Sequence, residues 1–571
     1  MSRETAFQER LRSLAHQCFG LSPREVQHRA AGLLEGRTIV EMDTGEGKTL
    51  TVAMAAIAIA CRGQRVFVAT ANDYLATRDA AEMAPLFDGF GSNAGALTTT
   101  MDRDSRRRVY SCGIVYGTIR ELGFDKLRDA LAARHPSGDD GPMVPKFDSL
   151  VVDEADNVLI DEAMTPLVIS ERVGSVSPSQ TALYRWSAEQ AKRLAPGTDF
   201  VEHTPTGRIA LTENGIIQAM GCPMPPSMGE LRMPEILHSL ERSLEVATRF
   251  LRDVHYLVKD DQVLLVDEYS GRLAAAKKMS GGLHQAIEAK EGLPITPAAR
   301  TAARMTIQEL VNQTPHLCGV TATAQEDKTE FRSVYGLHVK RLPPHFPSQR
   351  KRLPSQFFAN RQDKEWGIVL DVRKMIEAGR AVLIGTRTIE QSESLSSLLT
   401  EQRVAHVVLN ARQSSEEASI IAQAGQRGRV TVATNMAGRG TDIRIADAVR
   451  TAGGLHVIVS EPHTAARIDR QLAGRCGRQG DPGTVSHFFS ADDKVIEWAS
   501  GRVTAGNAPL AIDNPFAQAK LLWQAKRAQA RLGRVHRGMR FRLAQAEQQS
   551  AGDLRELGLD PHLDRVSASD E

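Results

Sequence analysis

Residues 39–50 read I-V-E-M-D-T-G-E-G-K-T-L, and the rest of the chain is interpreted from this stretch. A short apolar segment runs into the glycine-rich segment 44–49, and an alanine-rich, helix-forming segment, 51–60, follows. A strand, a glycine loop and a helix start in this order form a phosphate cradle, because backbone N–H groups and the helix N-terminus face the anion. Met42 replaces the first glycine of the general G-x-x-x-x-G-K-T motif. The alternative is a chance glycine-rich surface turn.

Two side chains of the loop have predicted roles in this phosphate site. Lys48 would reach the β- and γ-phosphates, and the Thr49 hydroxyl would ligate Mg²⁺. Gln27 lies shortly before the loop, and its amide can hydrogen-bond an adenine edge through a paired donor and acceptor. A single glutamine is more often a surface residue, so this interpretation of Gln27 depends on the neighbouring loop.

Length and composition limit the number of domains and the class of protein. The 571 residues are too many for one core and indicate roughly three or four domains. The net charge of +2 does not by itself indicate a nucleic-acid binder. The six cysteines form no C-x-x-C pair, so we expect no zinc and no disulfide framework. Without a signal peptide or an apolar membrane span, we expect a cytoplasmic protein, peripheral to the membrane at most.

The chain alternates short apolar strands with helical segments, which predicts a parallel α/β layout. The rhythm changes after residue 170 to turn-rich text with alternating strand patterns, and the α/β pattern returns later. We expect a first nucleotide-binding domain in two parts, an insertion, a second α/β domain, a helical segment and a polar tail. The boundaries are 1–170 and 283–350 for the first domain, 171–282 for the insertion, 351–495 for the second domain, 496–548 for the helical segment and 549–571 for the tail.

A buried strand, Ser149–Asp153, ends in the acidic sequence D-E-A-D. Asp153 at a strand end can hold Mg²⁺ through water, and Glu154 can orient or deprotonate the attacking water. A solvated acidic turn is the alternative. The apolar strand that precedes the acids, about a hundred residues after a phosphate loop, favours the catalytic interpretation.

Two further stretches contain arginines that are candidates for contact with a phosphate group. Residues 431–443 read T-V-A-T-N-M-A-G-R-G-T-D-I, and residues 467–483 read R-I-D-R-Q-L-A-G-R-C-G-R-Q-G-D-P-G. Arg475 and Arg478 would share one face if this segment were helical. Paired arginines that face a phosphate loop are suited to neutralising transition-state charge, although a basic surface loop is the alternative.

Together these blocks resemble the helicase-like ATPases with two RecA domains and, within that group, the SecA family of preprotein-translocation motors. The resemblance spans about 20–545, in order. It rests on E-M-D-T-G-E-G-K-T (41–49), N-D-Y-L-A-T-R-D-A (72–80), Y-G-T-I-R-E-L-G-F-D-K-L-R-D (116–129), V-D-E-A-D-N-V-L-I-D-E-A-M-T-P-L-V-I-S (152–170), V-D-E-Y-S-G-R (266–272), G-L-H-Q-A-I-E-A-K-E-G (282–292), N-M-A-G-R-G-T-D-I (435–443) and the arginine block.

The resemblance implies two RecA-like parallel-sheet domains, a mixed α+β preprotein-binding insertion and a short C-terminal helical segment. It implies ATP hydrolysis with Mg²⁺ that moves unfolded preprotein through the SecY channel, with no specific nucleic acid as partner. The residues that match family positions are Gln27 for adenine, Gly45, Glu46, Gly47, Lys48 and Thr49 for the phosphate loop, Asp153 and Glu154 for Mg²⁺ and water, Asp442 for nucleotide contact, and Arg475 and Arg478 as arginine fingers. Pairing with a second copy stays open.

The departures from the family pattern are as informative as the matches. Met164 replaces the arginine of D-E-A-R-T-P, and Ala322 replaces the glycine of T-G-T-A, so coupling between ATP and the insertion is in doubt. Only the start of the family's long scaffold helix has a counterpart, at 513–548, while the two-helix finger, the wing and the zinc-binding tail have none.

This segment, 513–548, contains eight lysine and arginine residues, and no acid lies between Asp513 and Glu547. An anionic membrane surface or an acidic partner would suit it, and a solvated scaffold face that packs through Leu521, Leu522, Trp523 and Phe541 is the alternative. For the whole chain, a DEAD-type RNA helicase and a regulator or holdase that does not translocate are the alternatives to a short, accessory-type translocase.

Overall fold

The computed structural model describes residues 3–134, 141–172, 176–203, 208–229, 231–266, 273–274, 279, 281–297, 299–409, 417–434, 442–500 and 515–563. Contacts within the chain divide it into two compact units. One contains Met1–Val168 and Ala303–Asp564, and the other is formed by Ile169–Ala302.

The first unit opens with alternating helices and strands. The strands are almost wholly buried and the alanine-rich third helix is buried along most of its length, as expected for a helix that covers a parallel sheet. The elements are α1 (Arg3–Phe19), α2 (Glu25–Leu33), β1 (Thr38–Glu41), α3 (Lys48–Ala60), β2 (Val66–Thr70), α4 (Asp73–Asp88), β3 (Ala94–Ala96), α5 (Arg103–Tyr110), β4 (Ile114–Thr118), α6 (Ile119–Arg134) and β5 (Ser149–Asp153).

A π-helical turn, Asn157–Asp161, follows β5, and the chain then enters the second unit. This unit combines helices with antiparallel strands, β7 with β8 and β9–β10–β11, while β6 and β12 pair at its entry and exit. The elements are β6 (Leu167–Arg172), α7 (Pro178–Ala191), β7 (Phe200–His203), β8 (Arg208–Leu211), α8 (Glu213–Met220), α9 (Met233–Arg249), β9 (Tyr256–Lys259), β10 (Gln262–Val266), β11 (Leu273–Ala274), α10 (Leu283–Lys290) and β12 (Ala299–Met305).

Returning to the first unit, the chain completes a seven-stranded parallel sheet with the order β14-β1-β13-β5-β2-β4-β3. The added elements are α11 (Ile307–Asn312), β13 (His316–Thr321), α12 (Lys328–Tyr335) and β14 (His338–Arg341). Because β1, β13 and β5 are neighbours, the loops after Glu41, Thr321 and Asp153 meet at one edge of the sheet. This edge is where ligands bind in parallel α/β sheets.

A second parallel sheet has the order β15-β21-β20-β17-β19-β18, with β16 also paired to β21. Its elements are β15 (Gln349–Arg352), β16 (Gln356–Phe358), α13 (Arg361–Glu377), β17 (Val382–Thr386), α14 (Ile389–Glu401), β18 (Val407–Leu409), α15 (Glu417–Gln423), β19 (Val430–Thr434), α16 (Asp447–Thr451), β20 (Leu455–Val459), α17 (Ala466–Ala473), β21 (Pro482–Ser490) and α18 (Lys494–Ser500). The expected pair of RecA-like α/β domains is confirmed.

The last element is the long helix α19 (Pro515–Glu556). It continues eight residues past the expected end at 548, and Glu547 and Ala551 in this region are buried. The side chain of Gln529 bonds to the second domain at His463, and Arg540 pairs with Glu330 of the first domain. The helix therefore connects the two domains. No helix within the described ranges is long and apolar enough to cross a bilayer.

Candidate nucleotide-binding and hydrolysis site

The glycine loop has the backbone of a phosphate cradle. Gly45 and Gly47 have φ values of +88° and +79°, in the left-handed region that favours glycine, and α3 begins directly after Gly47. A Cβ added at Gly47 would lie 2.2 Å from Nε2 of Gln27, so a side chain there would displace the Gln27 amide from the loop. The loop therefore brings its backbone and the N-terminus of α3 to the place where a phosphate group would bind.

Gln27, on α2, is folded against this loop. Its Nε2 donates to the carbonyl of Glu46 at 2.9 Å, and its Oε1 accepts from the N–H of Arg24 at 2.8 Å. The Glu46 carboxylate turns away from the cradle and accepts from the N–H of His345 at 3.1 Å. In this arrangement Gln27 braces the loop, and Glu46 contributes to the cradle through its backbone while its side chain holds the interdomain linker.

Lys48 and Glu154 form the central ion pair of the site. Nζ of Lys48 donates to Oε1 of Glu154 at 2.7 Å, and both side chains are largely buried. Glu154 has a φ of +55°, and its N–H donates to Oδ1 of Asp153 at 3.0 Å. A non-glycine residue in the left-handed region stores strain of about 1–3 kcal/mol and is typical of functional sites. The left-handed backbone conformation directs the carboxylate of Glu154 toward the phosphate loop.

Asp153 is buried beside Glu154, and burial raises the pKa of Asp153 to about 7, with the charge of Glu154 adding to the effect and Lys48 opposing it. Asp79, on α4, lies close enough to raise this pKa further. Sequence reasoning did not single out Asp79, although it lies in the N-D-Y-L-A-T-R-D-A block.

These residues fit a nucleotide with Mg²⁺. The glycine cradle suits phosphate oxygens, and a divalent cation beside Asp153 would oppose the effects of burial and of Glu154 that raise the pKa of this carboxyl. Thr49 follows Lys48 in the first turn of α3, where its hydroxyl is suited to a hard cation. Asp153 and Thr49 would therefore hold Mg²⁺ together with phosphate oxygens.

The turn after α17 in the second domain contacts the phosphate loop. The Thr44 hydroxyl donates to the carbonyl of Gly474 at 2.5 Å. A Cβ added at Gly45 would lie 3.1 Å from Cβ of Arg478, so the arginine side chain packs over the loop. Arg478 also bonds to Asp442, which joins two of the predicted site residues.

The segment that contains the two arginines is not helical, so the condition for a shared helical face is not met. The helix ends at Ala473, and the half-buried Arg475 and Arg478 lie in the turn that follows. Gly477 and Gly480 both have positive φ, which a continuing helix would not allow. The turn still places Arg478 over the phosphate loop. Residues 435–441 of the preceding motif lie outside the described ranges.

Asp156 connects the two domains through hydrogen bonds that sequence reasoning missed. Its two oxygens accept from the hydroxyls of Thr321 and Thr323 at 2.6 and 2.7 Å. Gln471 of α17 donates to the same carboxylate. Ala322, between the two threonines, has no positive φ, so the position that is glycine in the family pattern does not require glycine here. The side chain of Met164 lies outside the described part.

Arg467 forms the second interdomain contact. It is 5% exposed, donates to Asp161 at 2.7 Å, and lies 3.2 Å from Asp327. These carboxylates raise the pKa of Arg467 above its usual range despite its burial. The i, i+4 spacing of Arg467 and Gln471 on α17 was the available sequence signal, since it places both side chains on one helix face.

Comparisons with known proteins identify the family of the chain. The family profile described as the SecA DEAD-like domain matches residues 5–332, and the SecA P-loop domain profile matches 347–450 and 444–507. The protein translocase subunit SecA 2 of Rhodopirellula baltica is 39% identical over 556 residues, which are 93% of this chain and 84% of the relative. Protein translocase subunit SecA of Helicobacter pylori strain G27 is 39% identical over 519 residues, 90% of this chain.

The chain spans 59% of the length of the Helicobacter pylori relative. Among solved structures, the DEAD-box helicase Mss116 bound to single-stranded RNA has a TM-score of 0.42 at 12% identity, covering 88% of this chain and 78% of that one; so loose a likeness supports no functional conclusion. The two family profiles cover most of the chain, and its phosphate loop, acidic pair and arginine turn meet in one site. The chain belongs to the SecA family of P-loop ATPases.

Proposed function

We propose that this chain couples ATP hydrolysis to the movement of unfolded preprotein through the SecY channel. The observation that carries the proposal is the contact of the phosphate loop with the arginine turn of the other domain, through Thr44 and Gly474 and through Gly45 and Arg478. Nucleotide chemistry at such a contact changes how the two domains hold each other. The relatives are named protein translocase subunits, which supports movement of protein, and the resemblance to the SecA family implies the unfolded preprotein and the SecY channel.

In the mechanism that we propose, Gln27 recognises adenine and the backbone of Gly45–Thr49 holds the phosphates of ATP. Lys48 exchanges its ion pair with Glu154 for the γ-phosphate, which frees the Glu154 carboxylate to orient and deprotonate the attacking water. Asp442 contacts the nucleotide, and Arg475 and Arg478 neutralise charge that develops on the transferred group. Mg²⁺ supplies charge neutralisation on the phosphates when it is bound through Thr49 and Asp153.

A short covalent path leads from this site to the inserted unit. Asp156 and Asp161, which bond to Gln471 and Arg467, lie in the segment between Glu154 and β6, and β6 leads into the inserted unit. When the second domain changes its hold on Asp156 and Asp161, this segment transmits the change along the chain. This path supports coupling of hydrolysis to the inserted unit.

The inserted unit is the part that we propose binds preprotein. Within it β9 is an edge strand of the β9–β10–β11 sheet. An extended peptide that adds to such an edge is held by main-chain hydrogen bonds, which tolerate many sequences. This tolerance is what a carrier of diverse unfolded chains needs.

The test is transport itself. Vesicles that contain the SecY channel are mixed with an unfolded, labelled preprotein, ATP and the purified chain as the only motor. We expect ATP-dependent protection of the preprotein from added protease, and no protection with Glu154→Gln. Preprotein binding without ATP-dependent protection would instead establish the regulator or holdase.

We further propose that α19 contacts an anionic membrane surface. Its outward face carries exposed Phe516, Trp523 and Phe541, and the Arg527 guanidinium stacks 4.9 Å from the Trp523 ring centroid. The exposed basic residues on the same helix are Lys520, Lys526, Arg527, Arg531, Arg534, Arg542 and Arg555. Leu522 packs inward, so the scaffold alternative accounts for Leu522 and leaves the aromatic and basic face unexplained.

Flotation with anionic and with neutral liposomes tests this surface. Each basic residue near an anionic surface contributes about 1 kcal/mol, so we expect binding to anionic liposomes only. Arg527→Glu combined with Arg534→Glu should abolish flotation, while Arg332→Glu, an exposed change on α12, should not. Equal, weak binding to both liposome types would exclude the lipid contact.

A further inference from the structure

A second cavity lies in the RecA-like domain formed by the second sheet, away from the nucleotide site. Its volume is about 540 Å³, and it opens where β15, β17, β20 and β21 begin. The nucleotide site is instead at the carboxyl ends of the first sheet's strands. Gly453 and Gly454, both with positive φ, form the turn beside the cavity, and a Cβ at Gly454 would lie 1.8 Å from the carbonyl of Pro482.

Three basic side chains line this cavity: Arg350, Lys351 and Arg380. The nine lining residues, all within the described ranges, include no aspartate or glutamate. The remaining lining residues are polar, glycine or proline, with the hydroxyl of Thr484 among them. The cavity is therefore cationic and presents no competing acid.

Arg380 stands apart from the other buried cations of the described chain. Arg106, Lys364, Arg467 and Arg540 are equally buried, and each lies within 4 Å of an aspartate or glutamate oxygen. Arg380 is 7% exposed, and among the described residues no aspartate or glutamate oxygen lies within 4 Å of it, although Asp371 acts on it from farther away. A buried charge without a counter-charge is costly to maintain, and proteins normally pair it.

The contacts that Arg380 does make hold its guanidinium in place. Nε donates to the carbonyl of Gly454 at 2.8 Å, and Nη2 donates to the Thr484 hydroxyl at 2.7 Å. Thr484 bonds in turn to His456, whose other ring nitrogen lies 2.9 Å from Asp371. Burial lowers the pKa of Arg380 below its usual range, and the more distant Asp371 and Cys476 only partly oppose this effect.

We propose that this cavity binds a small phosphate-bearing anion, which supplies the counter-charge of Arg380. The planar guanidinium of arginine matches phosphate oxygens in a two-point contact, and the backbone and hydroxyl bonds of Arg380 orient it in advance. Arg350 faces the same space from β15, and its Nη1 donates to the carbonyl of Ala473 at 3.3 Å. Arg350 thus connects the anion site to the end of α17.

Inorganic phosphate is the probe, titrated calorimetrically into the full chain. The chain carries Lys48→Ala, which weakens phosphate binding at the nucleotide loop, and the titration contains neither nucleotide nor Mg²⁺. We expect saturable binding that chloride at equal ionic strength does not reproduce. Adding Arg380→Gln should weaken this binding by about tenfold or more, because the two-point contact is lost.

Two further variants make the result decisive. Arg350→Gln should also weaken phosphate binding, and it decides the matter if Arg380→Gln does not fold. Arg352→Gln, an exposed change on the same strand but outside the lining, should leave the affinity unchanged. The proposal is overturned if no phosphate binds at millimolar concentration, or if Arg380→Gln and Arg350→Gln, where folded, both bind as tightly as the Lys48→Ala parent. It does not depend on protein translocation.

Discussion

Glu154 combines a strained backbone with an ion pair to Lys48, and we propose that hydrolysis depends on this residue more than on any other. We expect Glu154→Gln to keep ATP binding, because the amide still fits beside Lys48. Turnover should fall by about 10²–10⁴-fold, since the amide cannot accept the proton of water. Equilibrium binding of a labelled ATP analogue and steady-state phosphate release measure the two effects.

Glu401→Gln, an exposed change at the end of α14, is the matched control and should leave both values unchanged. Normal turnover in Glu154→Gln would remove this residue from the role of general base. Loss of ATP binding would show that Glu154 is needed to hold the loop.

Asp153 gives the site a pH dependence. Its pKa is raised from 3.8 to about 7, so near neutral pH the folded state binds a proton that the unfolded state has released. This stabilising contribution is present below about pH 4 and is lost as the pH rises through about 7. Asp153→Asn cannot titrate, so without Mg²⁺ and nucleotide its stability relative to the parent should increase from pH 5 to pH 8.

Urea unfolding of both proteins across this range measures the difference, and the comparison cancels the similar contribution of Asp493. A constant difference between parent and variant would contradict the raised pKa. The affinity of the parent for Mg²⁺ should increase over the same pH range, because Asp153 loses its proton.

The phosphate loop and the D-E-A-D acids could be predicted from sequence because local motifs specify them. Whether their proposed catalytic roles hold is for the variants above to decide. Asp156 could not be singled out, because its partners Thr323 and Gln471 are distant in sequence and only the fold brings them to it. The same holds for Arg467 and Asp161.

The helix α17 forms the interdomain contact through Arg467. Arg467→Ala would leave Asp156, Asp161 and Asp327 without their buried cation, and removing one partner of a buried pair costs about 3–5 kcal/mol. We expect the first thermal unfolding transition to have a lower midpoint temperature. We also expect faster hydrogen exchange in the Asn157–Asp161 turn. Arg332→Ala, on the exposed face of α12, is the control; equal behaviour of the two variants would refute the role of Arg467.

The helix α19 should contribute to stability through its contact with the first domain. Arg540 donates to both oxygens of Glu330, at 2.5 Å and 2.7 Å, and both side chains are buried. A double-mutant cycle with Arg540→Met and Glu330→Gln should give a coupling of about 1–3 kcal/mol in thermal or urea unfolding. Additive single effects would show that the pair is independent and that α19 docks through its apolar residues alone.

Sequence patterns located elements better than they located element ends. The helix α19 continues to Glu556, beyond the expected 548, where Ala551 is buried and the N–H of Arg304 donates to the carbonyl of His562, and periodicity does not reveal such tertiary contacts. The spacing of Arg475 and Arg478 would place them on one face only in a helix, whereas Gly477 and Gly480 stop the helix. Glycine positions were visible in the sequence and were the better guide there.

Three structural features combine in the whole molecule. Two parallel sheets form the ATPase unit, α19 connects the two domains, and a separate mixed unit is inserted between β5 and β13. The central claim is that hydrolysis in the first unit responds to preprotein, which we propose is held by the second.

Steady-state ATP hydrolysis tests this claim most directly. The rate is measured for the chain alone, with unfolded preprotein, with SecY-containing vesicles, with both together, and with RNA, and Glu154→Gln serves as the background control. We predict that preprotein and vesicles together raise the rate well above either alone and that RNA has no effect. Stimulation by RNA alone, or a rate indifferent to every addition, would contradict the account.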